Sequence, residues 1–174
     1  MNEVELVQKC QEKDLSAFKM IYDRYEQPLL HTAFRMLGQQ QDAEDAVQTT
    51  FLKLYRGIQS FRSDSKFSTY LFRILLNVCF DMLEKRKNKI IQVFKKTDLS
   101  YRPKNHLKLR LEEAIGKLPE RMRACFVLFA VEDIQQNEIA QILNLSVGGV
   151  KSNIFQAKAR LRAILSDSQV KEKA

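Results

Sequence analysis

The sequence predicts an all-α protein of two small helical domains joined by a basic linker. Three observations carry this expectation. Apolar residues recur at spacings of three and four over most of the chain. Only five Gly and three Pro occur among 174 residues, beside many Leu, Gln, Glu, Lys and Arg, a composition that favours helix. No alternating apolar–polar run and no Asn-Gly hairpin signal is present. The helical period holds from about Asn2 to Lys89, fades between Ile90 and Leu107, where Ser100, Pro103 and Asn105 interrupt it, and returns from Lys108. The expected units are therefore residues 1–90, a linker over 91–107, and residues 108–174.

Composition excludes several classes of function. The longest apolar run, Ala124 to Val131, is too short to span a bilayer. The first residues are acidic and carry no signal-peptide apolar stretch, so a cytoplasmic protein without membrane insertion is expected. Cys10, Cys79 and Cys125 are odd in number, far apart and flanked by apolar residues, which reads as buried thiols. With no CxxC and only His31 and His106, neither a disulfide framework nor a metal site is expected. Phosphate-loop, dinucleotide, zinc-protease and nucleophile-elbow motifs are all missing, so no enzyme and no cofactor are expected.

Charge is informative once it is located. The net charge is +8, and residues 81–110 hold ten Lys or Arg against three acids, while the other 144 residues hold 19 against 18. A basic segment on a nearly neutral chain points to a polyanion, nucleic acid before membrane. A solvated basic linker is the plainer alternative.

The first clear element follows Gly38, which is placed to end the helix before it. Asp42 is placed to cap the next helix, with Glu44 and Asp45 in a first turn where the helix dipole favours anions. Val47, Phe51, Leu54 and Ile58 then form its buried stripe. The acids of "DAED", with Gln48 beyond them, also make an acidic docking face, and the local sequence leaves both readings open.

The polar stretch "QSFRSDSKFS" precedes a second long helix, from Phe67 to about Lys87, that is apolar almost all round. Such a helix belongs in the middle of a bundle. One polar strip remains on it, Tyr70, Arg73, Asn77, Asp81 and Glu84, running into Lys85, Arg86 and Lys87. Solvent exposure explains the strip; an aromatic, an Arg and an Asn beside a basic run also suit unstacked bases.

In "EIAQILNLSVGGVKSNIF", Ile139, Leu143, Leu145 and Val150 can form a core shared by two short helices, with the small Ala140 at their crossing. Asn144 tolerates a left-handed turn and Ser146 is a good N-cap. The pattern predicts a helix-turn-helix. On its second helix Val150, Ile154, Ala157, Leu161 and Leu165 face inward, while Lys151, Ser152, Phe155, Gln156, Ala159 and Arg162 face outward. Gly148 and Gly149 fall where such a helix enters the major groove, and a backbone without side chains can approach phosphate there. Phe155 either packs on a neighbour or touches a thymine methyl.

Four ordered stretches, "DAEDAVQTTFLKLY", "FRSDSKFSTYLFRILLNVCFDMLEKR", "LPERMRACFVLF" and "EIAQILNLSVGGVKSNIFQAKARL", together resemble a bacterial RNA polymerase sigma factor of the extracytoplasmic-function group. The resemblance covers roughly Gln11 to Leu165. It implies a region 2 and a region 4, which bind core polymerase through the β′ clamp helices and the β flap. It also implies an alternative sigma factor that directs promoter-specific initiation on duplex −35 and melted −10 DNA, with an anti-sigma factor as controlling partner. Asp42, Asp45 and Gln48 match the polymerase-docking face. Phe61, Ser63, Asp64 and Lys66, with Tyr70, Arg73 and Asn77, match the part that captures −10 bases, and Lys85, Arg86 and Lys87 its backbone-binding end. Arg123 matches a phosphate contact, and Gly149, Lys151, Ser152, Phe155, Gln156 and Lys158 lie in the −35 reading segment.

The chain departs from that pattern in places. Tyr70 stands where Trp is usual, Thr49 where an acid is usual and Asn144 where Gly is usual. Lys151, Gln156 and Lys158 replace positions often held by Arg, and Lys lacks its planar fork, so base preference does not carry over. The expected 16-residue tether from Ile91 to His106 reaches at most ~55 Å, more than one DNA turn of ~34 Å. Two other readings stand beside this one: a helix-turn-helix regulator acting without polymerase, and a basic RNA-binding or adaptor protein.

Overall fold

The computed structural model describes residues 2–92 and 106–171, and the regular elements there are helices. Four form a first unit: α1 (Glu3–Gln11), α2 (Leu15–Leu37), α3 (Gln40–Gly57) and α4 (Phe67–Gln92), with a single 3₁₀ turn at Ile58–Ser60. Four form a second: α5 (His106–Gly116), α6 (Glu120–Ala130), α7 (Gln136–Leu143) and α8 (Val147–Lys171). Thus α4 extends to Gln92 and α5 starts at His106, inside the stretch expected as linker. The rest of that linker, with most of its charge, lies outside the described residues.

Local chemistry explains most boundaries. Asn2 accepts from the Glu5 amide while Glu5 accepts from the Asn2 amide, a reciprocal cap on α1. Asp14 caps α2 by accepting from the Ser16 and Ala17 amides. Gly38 ends α2 at φ 77°, as expected. The start of α3 differs from expectation. Gln39 is extended and the helix begins at Gln40, so Asp42 lies inside the first turn and caps nothing. The chain re-enters helix directly after the left-handed Gly38, which moves Glu44 and Asp45 beyond that turn.

In the first unit Val47, Phe51, Leu54 and Ile58 are all buried, as are Leu71, Leu75, Leu76 and Cys79 of α4. Helix α4 packs on α2 and α3 on one side and on α7 on another, which explains its nearly uniform apolar character. All three cysteines are buried, and burial pushes the Cys10 thiol up to about 11 and the Cys79 thiol to about 12.

The second unit faces two ways. Ala114, Ile115, Leu118, Met122, Val127, Ala157 and Leu161 make its own small core. Cys125, Leu128, Ile139, Ala140 and Ile142 instead continue the core of the first unit. Polar groups cross the same joint: Thr32 Oγ1 donates to Glu132 Oε1 at 2.9 Å, and Arg35 Nη2 donates to Glu112 Oε1 at 2.9 Å. Burial raises the Glu132 carboxyl above its ordinary range, partly offset by the Thr32 bond and by His31 and Arg35.

Candidate polymerase and nucleic-acid interface

The acidic face of α3 opens onto a groove of about 620 Å³ between α2 and α3. Phe18, Tyr22, Leu30, Val47, Phe51, Leu52 and Tyr55 supply its apolar part, with Glu26, Glu44, Asp45 and Gln48 as its polar part. Phe18 stands edge-on to Tyr55 at 5.4 Å, which orders the wall. Asp45 and Gln48 line this groove. Asp42 does not: its carboxylate pairs with Arg86, which also donates to the Leu37 carbonyl at 3.0 Å. Two residues expected to meet different partners, Asp42 of α3 and Arg86 of α4, hold each other. Glu44 takes its place on the groove. The apolar wall was missed in the sequence, although Leu52 and Tyr55 lie three residues apart off the buried stripe and are 53% and 48% exposed.

The loop before α4 is tied down from α1. Gln11 Nε2 donates to the carbonyls of Ile58 at 3.0 Å and Phe61 at 2.9 Å. Phe61 packs 5.8 Å from Phe67 and 4.9 Å from Tyr70 between ring centroids. A Cβ at Gly57 would come within 3.2 Å of the Tyr70 hydroxyl, so Gly57 lets that ring lie down. Tyr70 is consequently half-buried in an aromatic cluster rather than open along the strip. Ser63, with φ 58°, and Asp64 are exposed beyond it. A cavity of about 330 Å³ opens between this loop and the start of α1, lined by Val4, Val7, Phe61, Ser63, Lys66 and Phe67.

Along α4, Arg73, Asn77 and Lys85 are exposed. Three expected DNA cations nonetheless have partners in the second unit. Lys66 pairs with Glu138, Arg73 Nη2 donates to the Gln141 carbonyl at 2.9 Å, and Lys87 pairs with Glu120 at 2.8 Å. Asn77 and Phe80 border a small cleft of about 170 Å³ closed by Arg121, Ile142, Leu143 and Asn144.

The helix-turn-helix forms as expected. Asn144 is left-handed at φ 52°, and the Leu145 amide donates to the Ala140 carbonyl at 2.9 Å. Ser146 Oγ accepts from the Gly149 amide at 3.0 Å and caps α8. Val150, Ile154, Ala157 and Leu161 are buried, whereas Leu165 is only partly so. Lys151, Ser152, Gln156 and Lys158 are exposed, and Phe155 is 75% exposed, which excludes packing on a neighbouring helix. Gln156 Nε2 donates to Ser152 Oγ at 3.0 Å, and Lys158 lies 5.0 Å above the Phe129 ring.

Two expectations change here. The Gly149 amide is already committed to Ser146, and a Cβ at Gly149 would come within 3.2 Å of Ser146 Oγ. Room for the cap thus accounts for this glycine without any phosphate. Arg123 does not present its guanidinium outward. It donates to the carbonyls of Met36 at 2.5 Å, Leu118 at 3.0 Å and Gly116. These bonds tie the end of α2 to the turn between α5 and α6, and burial there lowers the Arg123 pKa.

Comparison with known proteins matches both units in order. The pattern described as Sigma-70 region 2 matches residues 21–89, and Sigma-70, region 4 matches residues 108–161. The chain is 31% identical to the ECF RNA polymerase sigma factor SigW of Bacillus subtilis (strain 168), over 92% of its length and 95% of that relative. It is 30% identical to the ECF RNA polymerase sigma-E factor of Haemophilus influenzae, over 88% and 89%. Among solved structures, CnrH in complex with the cytosolic domain of CnrY aligns with a TM-score of 0.75 at 28% identity, covering 93% of this chain and 96% of the matched one. The sigma factor RpoE in complex with the anti-sigma factor NepR, from Bartonella quintana, shares the fold at 24% identity and a TM-score of 0.73, over 86% and 96%. The chain belongs to the sigma-70 family, in its extracytoplasmic-function group, and is an alternative sigma factor that directs transcription initiation.

Proposed function

We propose that three surfaces divide the work of this sigma factor. The α2–α3 groove, with Glu44, Asp45 and Gln48 on its rim, takes the β′ clamp helices of core polymerase. The loop over 61–66 and the α4 strip of Arg73, Asn77, Lys85, Arg86 and Lys87 take melted −10 DNA. Lys151, Ser152, Phe155 and Gln156 of α8 read the duplex −35 element, with Lys158 on a phosphate. Region 2 extends to about residue 90 and region 4 begins at about 108, and the tether between them lets each read its own site. The protein works in the cytoplasm, beside polymerase. It catalyses nothing itself. The relative solved with NepR supports an anti-sigma factor as controlling partner.

The outward face of α8 carries this reading. A helix behind a capped turn leaves Phe155 three-quarters exposed among Lys151, Ser152 and Gln156. Phe155 is the most exposed large hydrophobic side chain among the described residues, and it stands on the face that a helix-turn-helix turns to DNA. The test is reconstitution with core polymerase followed by selection of bound promoter fragments from a random library. The expected product is a two-part motif whose upstream half changes when Lys151 or Gln156 is replaced by Ala. Recovery of an unchanged upstream half from both variants would refute the assignment of α8.

A further inference from the structure

Helix α1 holds none of the residues given a role above, yet one of its side chains reaches the loop that precedes α4. Gln11 Nε2 directs both of its hydrogens at the entrance of that loop, donating to the Ile58 carbonyl at 3.0 Å and to the Phe61 carbonyl at 2.9 Å. Both bonds are partly buried and join residues 47 and 50 positions apart. Among the described residues, no other side chain from a separate element bonds to the backbone of residues 58–66. The turn is also closed from within, by the Phe61 amide donating to the same Ile58 carbonyl at 3.1 Å. Beyond it Arg62, Ser63, Asp64 and Lys66 are exposed, with Ser63 left-handed at φ 58°. Backbone bonding resumes only where the Tyr70 amide donates to the Lys66 carbonyl at 3.2 Å.

The ring and the carbonyl of Phe61 are held by different partners. Phe67 and Tyr70 hold the ring, which by itself leaves the following peptide plane free to turn. Gln11 fixes that plane, and ψ 117° at Phe61 then sets the direction in which residues 62–66 leave. The helix behind Gln11 is a firm post, with a reciprocal cap at Asn2 and with Leu6, Val7 and Cys10 buried. We propose that Gln11 is a positioning residue for −10 recognition, holding the 61–66 loop in the course that presents Ser63, Asp64 and Lys66 to the melted strand. This rests on the −10 assignment of that loop. A loop ordered beforehand loses less freedom on binding, and a fixed course favours one base, whereas a freed loop repacks around several. Gln11 itself touches no base.

The test reconstitutes core polymerase with the full chain as wild type, Gln11→Met, Gln11→Glu and Asp64→Ala, and with Gln8→Met as a control on the exposed face of α1. Met keeps the length of Gln11 and removes both donors; Glu keeps its shape and sets acceptor against acceptor. Either one suffices if the other fails to fold. Open-complex yield is measured on promoters carrying each single-base change in the −10 element that wild type selects, and divided by the yield on the unchanged element. Both Gln11 variants should compress these ratios about threefold or more, while Gln8→Met matches wild type. The corresponding ratios for −35 changes should stay as in wild type. A merely structural role would lower yield on all sequences alike and leave the −10 ratios in place, which overturns positioning. Ratios kept by the Gln11 variants but altered by Asp64→Ala overturn the role of Gln11 alone. Ratios kept by Asp64→Ala as well overturn the −10 reading of the loop.

Discussion

Ser146 and Gly149 show how one hydroxyl decides a neighbour's identity. Helix propensity argues for Ala at position 149, by up to ~1 kcal/mol. The cap argues against it, because a Cβ there would press on Ser146 Oγ at 3.2 Å. These effects are comparable, so Gly149→Ala should change stability by less than ~1 kcal/mol in either direction. Ser146→Ala should cost ~1 kcal/mol, the usual worth of a cap. The informative variant is the double one. With the hydroxyl gone, the added methyl has nothing to press on, so Ser146→Ala/Gly149→Ala should be more stable than Ser146→Ala alone. Urea denaturation of the four proteins measures the coupling. A double variant less stable than Ser146→Ala would mean that another contact, and not the cap, excludes a side chain at 149.

Helix α3 teaches the same lesson at the scale of an element. Its apolar stripe was legible because four inward positions must satisfy one period. Its first residue was not, because cap propensity favours Asp42 while the helix starts behind Gln39, which makes no side-chain cap. Asp42 pairs with Arg86 on α4, while Glu44 and Asp45 line the groove. Asp45→Lys should therefore weaken core-polymerase binding at unchanged helix content, whereas Asp42→Ala should leave that affinity near wild type. The broken Asp42–Arg86 pair is partly solvated, at 30% and 38% exposure, so its loss should cost at most ~1 kcal/mol of stability. Competition for core polymerase against a labelled wild-type chain separates the two. Greater loss of affinity from Asp42→Ala than from Asp45→Lys would return the docking role to Asp42.

Across the whole molecule, the joint between the units carries a titratable group. Glu132 is held above its ordinary pKa mainly by burial. The folded state therefore binds the proton more tightly than the unfolded chain does. Stability from this group is full below the ordinary Glu value and is lost as pH rises through the raised one. Glu132→Gln removes the ionisation and keeps an oxygen for the Thr32 hydroxyl. The variant should be more stable than wild type at neutral pH and should lose that advantage in weak acid. Urea midpoints across that range measure it. A stability difference that does not change with pH would place the effect in packing.

The helical class, the left-handed turn at Asn144, the outward face of α8 and the order of the two units are legible in local sequence. Each of these follows from short-range spacing, where a period or a cap involves residues at most a few turns apart. Packing between elements sets what Arg123, Asp42, Lys66 and Lys87 touch, and brings Phe18, Tyr22 and Leu30 to complete a groove begun by α3. Those contacts join residues as far apart as Met36 and Arg123, on elements whose relative placement no local period encodes. A charged side chain looks alike in sequence whether it faces solvent, a phosphate or a carboxylate from another helix. Which of these it meets depends on how the units pack, and that is set by the apolar surface Ile139, Ala140 and Ile142 bury against the first unit.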